Sequence, residues 1–163
     1  MSSQPRIRRA AVVVASSRAA AGIYADTSAP VLSQWLAAAG FEVVPPRIVP
    51  DGAPVAEVLR ELLESGPSVI LTTGGTGLSA DDLTPEMTLP LLDRQIPGIM
   101  EAIRAAGAAS TPLAALSRGY AGTAGHTLVV NLPGSAGGIK DGLRVLQPLI
   151  GHLCDQLEGS HEH

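Results

Sequence analysis

The chain has 163 residues, of which 45% are apolar and only 2% aromatic, so its core is expected to consist of aliphatic side chains. The formal net charge is −4, so the chain lacks the positive electrostatic field that attracts nucleic acid or anionic membranes, and neither is expected as a partner. The single cysteine, Cys154, excludes an intrachain disulfide, suits a reducing cytoplasm and is expected to be buried on a helix face.

Strand and helix patterns alternate along the first half of the chain. The apolar run at 10–15 is too short for a secretory signal or a membrane span, and it is predicted to form the first strand. The elements that follow are a helix from Ser28 to Gly40, a strand at 41–49, a helix from Val55 to Gly66 and a strand at 69–71.

Prolines and glycines divide the second half. Pro90 is expected to kink or end the helix that begins near Thr84, because proline cannot continue the helical hydrogen bonds. The later elements are a helix from Pro97 to Gly107, strands at 113–116 and 127–132 with a turn at 122–125 between them, and a last helix from Ile139 to Leu153 that is interrupted near Pro148.

This alternation predicts an α/β fold with a largely parallel sheet covered by helices on both faces. Ligands of such sheets bind beyond the carboxyl ends of the strands. The loops after Val14, Val49, Leu71 and Val130 all follow predicted strands, so they are expected to meet at one edge and to form a site there.

The most informative segment is the glycine-rich loop of residues 74–77, which follows the strand at 69–71. Glycines at a strand end let backbone N–H groups approach a ligand, and such a loop can cradle phosphate oxygens. A tight turn with no ligand is the alternative. Thr84-Pro85 is expected to supply the cap and first residue of the next helix.

As a unit, Gly74-Gly75-Thr76-Gly77, four further residues and then Asp82-Leu83-Thr84-Pro85-Glu86 closely resemble the signature of the molybdopterin-binding family of molybdenum-cofactor biosynthesis. Further segments match in order, at 16–30, 49–51, 96–98, 117–119 and 131–135. The likeness covers about 7–155, the expected core of a single domain at 1–163 with frayed ends. Within the family, the chain is most similar to the stand-alone bacterial adenylyltransferases.

The resemblance implies a three-layer α/β/α domain with a mostly parallel, mixed sheet that assembles as a homotrimer. It also implies the transfer of AMP from Mg-ATP to the phosphate of molybdopterin, in the cytoplasm, with possible hand-over of the product to a molybdate-insertion protein. One rival is a non-catalytic molybdopterin-binding scaffold of the same fold. Another is molybdate insertion, which the family performs with a related domain of a longer chain.

Two carboxylates, Asp82 and Asp51, are the candidates for catalysis and for holding Mg²⁺ beside the phosphates. The alternative role of Asp82 is to cap the helix that begins near Thr84, and that of Asp51 is to form an ordinary turn. Asp26 also matches a family position, with capping of the following helix as its alternative.

The remaining candidates are expected to contact ligand. Asn131 offers both a donor and an acceptor for a pterin edge, or instead braces the turn at Pro133. Arg118 suits a phosphate, or instead pairs with a surface carboxylate. The full set of ligand-binding candidates is Ser16, Gly74, Gly75, Thr76, Gly77, Ser117, Arg118, Asn131, Pro133, Gly134 and Ser135.

Three positions depart from the family pattern. Asp81 stands where many relatives have arginine, Ser17 where the first loop commonly has aspartate, and Gly107 where some relatives have a pterin-contacting serine. Asp81 reverses the charge beside the expected phosphate site. These departures leave the predicted fold untouched and bear on the adenylylation step more than on ligand binding.

Overall fold

The computed structural model describes residues 6–159, so the predictions for Met1–Pro5 and for the last four residues lie outside the described range. The strands are β1 Arg9–Ala15, β2 Glu42–Val43, β3 Arg47–Val49, β4 Val69–Thr73, β5 Arg94–Gln95, β6 Ala121–Ala124 and β7 Thr127–Leu132. The helices are α1 Ser17–Ala20, α2 Ser28–Ala38, α3 Ala53–Ser65, α4 Thr84–Thr88, α5 Pro97–Ala108, α6 Ala136–Leu146 and α7 Ile150–Leu157, with 3₁₀ turns at Leu89–Leu91 and Pro112–Leu116.

The strands form one mixed sheet in the order β2-β1-β4-β7-β6-β5. β3 pairs with the carboxyl-terminal part of β1, on the same edge as β2. β1 runs parallel to β2, β3 and β4, and β4 runs parallel to β7. β6 pairs antiparallel with β7, and β5 pairs antiparallel with β6. The prediction of a mostly parallel, mixed sheet is confirmed.

Helices cover both faces of the sheet, as the three-layer prediction requires. Alternate residues of a strand point to opposite faces, so Val12 packs with the helices α2, α5, α6 and α7, whereas Val13 packs with α3. Ile70 and Leu71 divide in the same way on β4. Burial on both faces explains why these strands are continuous apolar runs rather than alternating ones.

The prediction of a single strand at 41–49 is wrong in the middle of that segment. The structure has two short strands, β2 and β3, separated at Pro45-Pro46. A proline has no backbone N–H to donate to a neighbouring strand, so two in succession interrupt the pairing with β1.

Two further predictions fail around the antiparallel edge. Residues 113–116 form a 3₁₀ helix, whose first residues are held by Thr111, because its Oγ1 accepts from Leu113 N at 3.2 Å. Residues 121–124 form β6 rather than a turn, and the turn follows at Gly125, where φ is +58°. Residues 121–124 are a strand because they pair with β7, since the sequence Ala-Gly-Thr-Ala has no strand pattern of its own.

The principal helices agree with expectation. Gly66 ends α3 in the left-handed region, and Pro90 lies where α4 becomes a 3₁₀ turn. Asp26 takes its capping role, since its carboxylate accepts from the N–H groups of Ser28 at 3.1 Å and Ala29 at 2.7 Å. Thr84 is the first residue of α4 rather than its cap, which is Leu83.

Cys154 is buried as expected, at 1% exposure, and burial raises the pKa of its thiol to about 11. In residues 6–159 every helix is too short or too polar to cross a lipid bilayer.

Candidate active site at the glycine loop

Four loops meet at the carboxyl edge of the parallel strands, as the sequence predicts. Ser16 N donates to Val49 O at 2.9 Å and so joins the loops after β1 and β3. Thr73 Oγ1 donates to Pro133 O at 2.8 Å and joins the loops after β4 and β7. These bonds hold the glycine loop, residues 74–77, between two neighbouring loops.

Positive φ angles let the glycine loop fold tightly against its neighbours. Gly74 has φ +87° and Gly75 has φ +69°, a region that disfavours other residues. A Cβ on Gly74 would overlap the carbonyl of Ala15, and one on Gly134 would lie 3.3 Å from Gly74 Cα. The backbones therefore approach one another too closely for side chains at these positions.

Gly75 brings its backbone beside Asp51 and Thr84. A Cβ on Gly75 would lie 3.1 Å from Asp51 Oδ1 and would overlap Thr84 Oγ1. The Thr84 hydroxyl is buried and has no hydrogen-bond partner among the described residues. A buried polar atom without a partner beside a carboxylate is where a bound water, cation or phosphate oxygen would fit.

Ser17 fixes the orientation of Asp51. Asp51 Oδ2 accepts from Ser17 N at 3.1 Å and from Ser17 Oγ at 3.0 Å, while Asp51 N donates to Ser17 Oγ at 3.2 Å. The departure from aspartate at position 17 thus supplies a hydroxyl donor to Asp51, where a second carboxylate would repel it.

Asp82 stabilises the glycine loop from its other end. Its Oδ2 accepts from Ser79 N at 2.9 Å and would lie 2.8 Å from a Cβ on Gly77. It does not cap α4, whose cap residue Leu83 makes no side-chain bond. Across the described residues, no three His, Cys, Asp or Glu side chains come together as a metal site, so a cation here would need ligand oxygens and water as well.

Arg118 donates hydrogen bonds to the glycine loop and to the segment that follows it. Its Nε donates to Gly77 O and its Nη2 to Asp82 O, both at 2.8 Å, and its Nη1 pairs with Glu86. This hydrogen bond to Arg118 holds the pKa of Glu86 below its ordinary value. Of the two roles open for Arg118, the structure shows pairing with a carboxylate, and the remaining N–H groups are the ones available to a phosphate.

Asn131 has a different role from either one expected. It is 0% exposed, its Oδ1 accepts from Tyr120 N at 3.0 Å, and its Nδ2 donates to Thr72 Oγ1 at 2.9 Å and Thr88 Oγ1 at 3.1 Å. Both amide donors are used within the protein, so Asn131 links β4, β7 and α4 beneath the site rather than facing a ligand. Its bonds do not brace Pro133.

Most of the remaining candidates line a cleft with two lobes, and Ser16 and Gly74 are not part of its lining. The glycine lobe has a volume of about 390 Å³ and is lined by Gly75, Thr76, Gly77, Asp82 and Gly134, among others. The helical lobe has a volume of about 310 Å³ and is lined by Ile103, Arg104, Gly107, Ala114 and Asp141, among others. Leu113, Ser117, Pro133 and Ser135 line both lobes.

Ser16 and Ser135 each cap a helix at the edge of the site. Ser16 Oγ accepts from Ala19 N at 3.2 Å and shares a hydrogen bond of 2.8 Å with Tyr24. Ser135 Oγ accepts from Gly138 N at 3.0 Å and caps α6. Both hydroxyls therefore already stabilise helix ends.

A protein family described as "Probable molybdopterin binding domain" matches residues 11–152, which is nearly all of the described chain. The chain belongs to this molybdopterin-binding family. The match spans the loops that line the cleft, from Gly75 to Ser135.

Individual relatives agree with this membership. The molybdopterin-binding chain is 38% identical to the molybdopterin adenylyltransferase of Haemophilus influenzae over 87% of its own length and 74% of the relative's. It is 38% identical to a molybdenum cofactor biosynthesis bifunctional protein of Chlorobaculum tepidum, over 93% of its length but 49% of that relative's. The solved structure of the molybdopterin biosynthesis Mog protein from Mycobacterium ulcerans superposes with a TM-score of 0.89 at 47% identity, covering 92% of this chain and 99% of that one.

Three residues of the candidate site were not among the sequence candidates. Thr84, predicted as a helix cap, lies within the signature motif. Arg104 and Asp141 line the helical lobe from α5 and α6. Charged residues on amphipathic helices are normally solvent-facing, so no local pattern distinguished these two.

Proposed function

We propose that the chain transfers AMP from Mg-ATP to the terminal phosphate of molybdopterin. It is an enzyme of the adenylyltransferase class, since relatives at 37–38% identity over most of its length are named molybdopterin adenylyltransferases. The observation that carries the specific reaction is the convergence of Asp51 and the unpartnered Thr84 hydroxyl at Gly75, on a loop suited to phosphates.

The reaction needs no protein nucleophile. An oxygen of the molybdopterin phosphate forms a bond to the α-phosphorus of ATP, the bond from that phosphorus to the bridging oxygen breaks, and pyrophosphate leaves. The protein holds two anions in line and compensates the charge between them. N–H groups of residues 74–77 would donate to phosphate oxygens, and Arg118 holds the loop that presents them.

The oxygen atoms of Asp51, Asp82 and Thr84 fit a hard cation such as Mg²⁺, which prefers carboxylates, phosphates and water. When bound, Mg²⁺ would neutralise phosphate charge and polarise the phosphorus. Ser17 would keep Asp51 pointed at the site through its two hydrogen bonds.

The two lobes suggest how the substrates lie. The glycine lobe, with the backbone of Gly74–Gly77 and the loop at 133–135, would receive the phosphates. The helical lobe, lined mainly by aliphatic groups, would receive the flat pterin. Ser117 and Thr76, whose hydroxyl oxygens lie 3.5 Å apart, would contact ligand at the junction of the lobes, and Ser16 would contact it from the loop after β1.

A non-catalytic scaffold is the second candidate function, and Asp81 favours it. This exposed carboxylate adjoins the proposed phosphate site and would repel ATP. Molybdate insertion is the remaining candidate, and the chain spans 49% of the length of the bifunctional relative.

The deciding experiment incubates purified protein with molybdopterin and Mg-ATP and measures pyrophosphate and adenylylated pterin. Product formation that EDTA abolishes is expected. Asp82→Asn serves as the inactive comparison and Asp155→Asn, on α7, as the active one. Tight binding of molybdopterin without product, with any divalent metal, would establish the scaffold instead.

We also propose a cytoplasmic homotrimer that hands its product to a molybdate-insertion protein. On α2, the exposed Val31 and the half-buried Trp35 line an apolar groove against α6, which supports association of subunits. Light scattering at micromolar concentration should give three times the monomer mass, and a monomer mass would contradict this.

A further inference from the structure

The helical lobe contains a carboxylate that the proposed chemistry does not use. Asp141 lies on α6 between the core residues Ile139 and Leu143, and it is only 8% exposed. Within residues 6–159, Asp141 and Arg104 are the charged side chains that line this lobe. A buried carboxylate is unfavourable unless donors satisfy it, so its partners matter.

Among the residues that the structure describes, Asp141 has one charged partner, and that contact is weak. Arg144 Nη2 lies 3.5 Å from Asp141 Oδ1, but the Arg144 side chain is 65% exposed, so water screens the attraction. The other oxygen, Oδ2, faces α5 and lies 3.9 Å from the position of a Cβ on Gly107. Because residue 107 has no side chain, Oδ2 remains open to the lobe.

We propose that Asp141 is a specificity-determining residue that recognises the 2-amino-4-oxopyrimidine edge of the pterin, an inference that rests on the proposed function. This edge presents a ring N–H and an amino group side by side. A carboxylate accepts hydrogen bonds from both through its two oxygens.

Arg104 complements this arrangement. Its Nη1 donates to Ser117 O at 3.3 Å, which anchors the guanidinium at the wall of the lobe. Its other N–H groups are suited to the ring carbonyl oxygen that adjoins the same edge. Adenine lacks this pair of adjacent donors, so Asp141 selects the pterin and not ATP.

The test compares pterin with lumazine, in which a carbonyl replaces the 2-amino group, by fluorescence titration of the full chain. Wild type should bind pterin more tightly by about 10- to 100-fold, the scale of a hydrogen bond to a charged group. Asp141→Asn should remove or reverse this preference, because its amide can donate to the carbonyl of lumazine. Asp155→Asn, the same change on α7 away from the lobe, should keep it.

A structural role for Asp141 gives a different result. Loss of affinity for both compounds equally, or a changed KM for ATP, would overturn the proposal. So would failure of wild type to bind pterin. In turnover, Asp141→Asn should raise the KM for molybdopterin while the KM for ATP stays unchanged, and urea unfolding should show that the variant is folded.

The same data separate this inference from the proposed function. If wild type forms adenylylated product but binds pterin and lumazine equally, the inference fails and the transfer reaction stands. If the preference depends on Asp141 but no pyrophosphate appears, the transfer reaction fails and the inference stands.

Discussion

Replacing Gly75 with alanine tests whether the close approach of the glycine loop to Asp51 and Thr84 matters for function. The new Cβ would lie 3.1 Å from Asp51 Oδ1 and within 3.0 Å of Thr84 Oγ1, closer than real Cβ atoms approach. Thr84 is buried and begins α4, so it cannot swing away without moving the helix start.

Gly66→Ala provides a matched control. Gly66 has the same φ of +69°, but no heavy atom lies within 4 Å of the position of its Cβ. Both variants carry the penalty of about 1–2 kcal/mol for a left-handed alanine. Gly75→Ala should lose a further 1–3 kcal/mol or so of unfolding free energy, the usual effect of overpacking.

Activity should separate the two variants more strongly than stability does. A displacement of about 1 Å at Asp51 and Thr84 should lower turnover by about 100-fold, whereas Gly66→Ala should be nearly unchanged. Urea unfolding and pyrophosphate release measure the two effects. If Gly75→Ala turns over within about threefold of Gly66→Ala, the convergence at Gly75 has no catalytic role.

Three further predictions concern charges around the loop. Asp82→Ala should lower turnover by about 100-fold or more with little change in molybdopterin affinity, and unchanged turnover would exclude Asp82 as the key carboxylate. Asp81→Arg should tighten binding of Mg-ATP by about two- to fivefold, with the gain shrinking as salt rises. A salt-independent loss of activity would instead make Asp81 a metal ligand. Arg118 lowers the pKa of Glu86 in the folded protein, so the Glu86–Arg118 pair stabilises the fold. This contribution is complete above pH 4.5, the ordinary pKa of the group, and is lost as the pH falls through the lower pKa of the folded state. Acid unfolding should therefore show wild type losing its stability advantage over Glu86→Gln below pH 4.5, and an advantage that persists in acid would contradict the pairing.

Local patterns predicted the elements whose signals are local. The apolar spacing of α3, its terminal Gly66 and the buried run of β4 each depend on neighbouring residues, and the structure confirms them. The antiparallel edge was predicted poorly, because β6 is a strand only by virtue of its pairing with β7. Two adjacent prolines, Pro45 and Pro46, were a local signal for the break between β2 and β3 that the apolar pattern obscured.

The sequence by itself determined the family, the layered α/β fold and the loop of the candidate site, because glycines and the signature motif are adjacent along the chain. Only the tertiary structure decided which polar atoms meet. Among residues 6–159 the Thr84 hydroxyl has no partner beside Asp51, while the Asn131 amide donates to Thr72 and Thr88. Asp141 lines the cleft from α6, beside Gly107 of α5. These residues are far apart in the chain, and hydrogen bonding and packing between distant elements leave no trace in local periodicity.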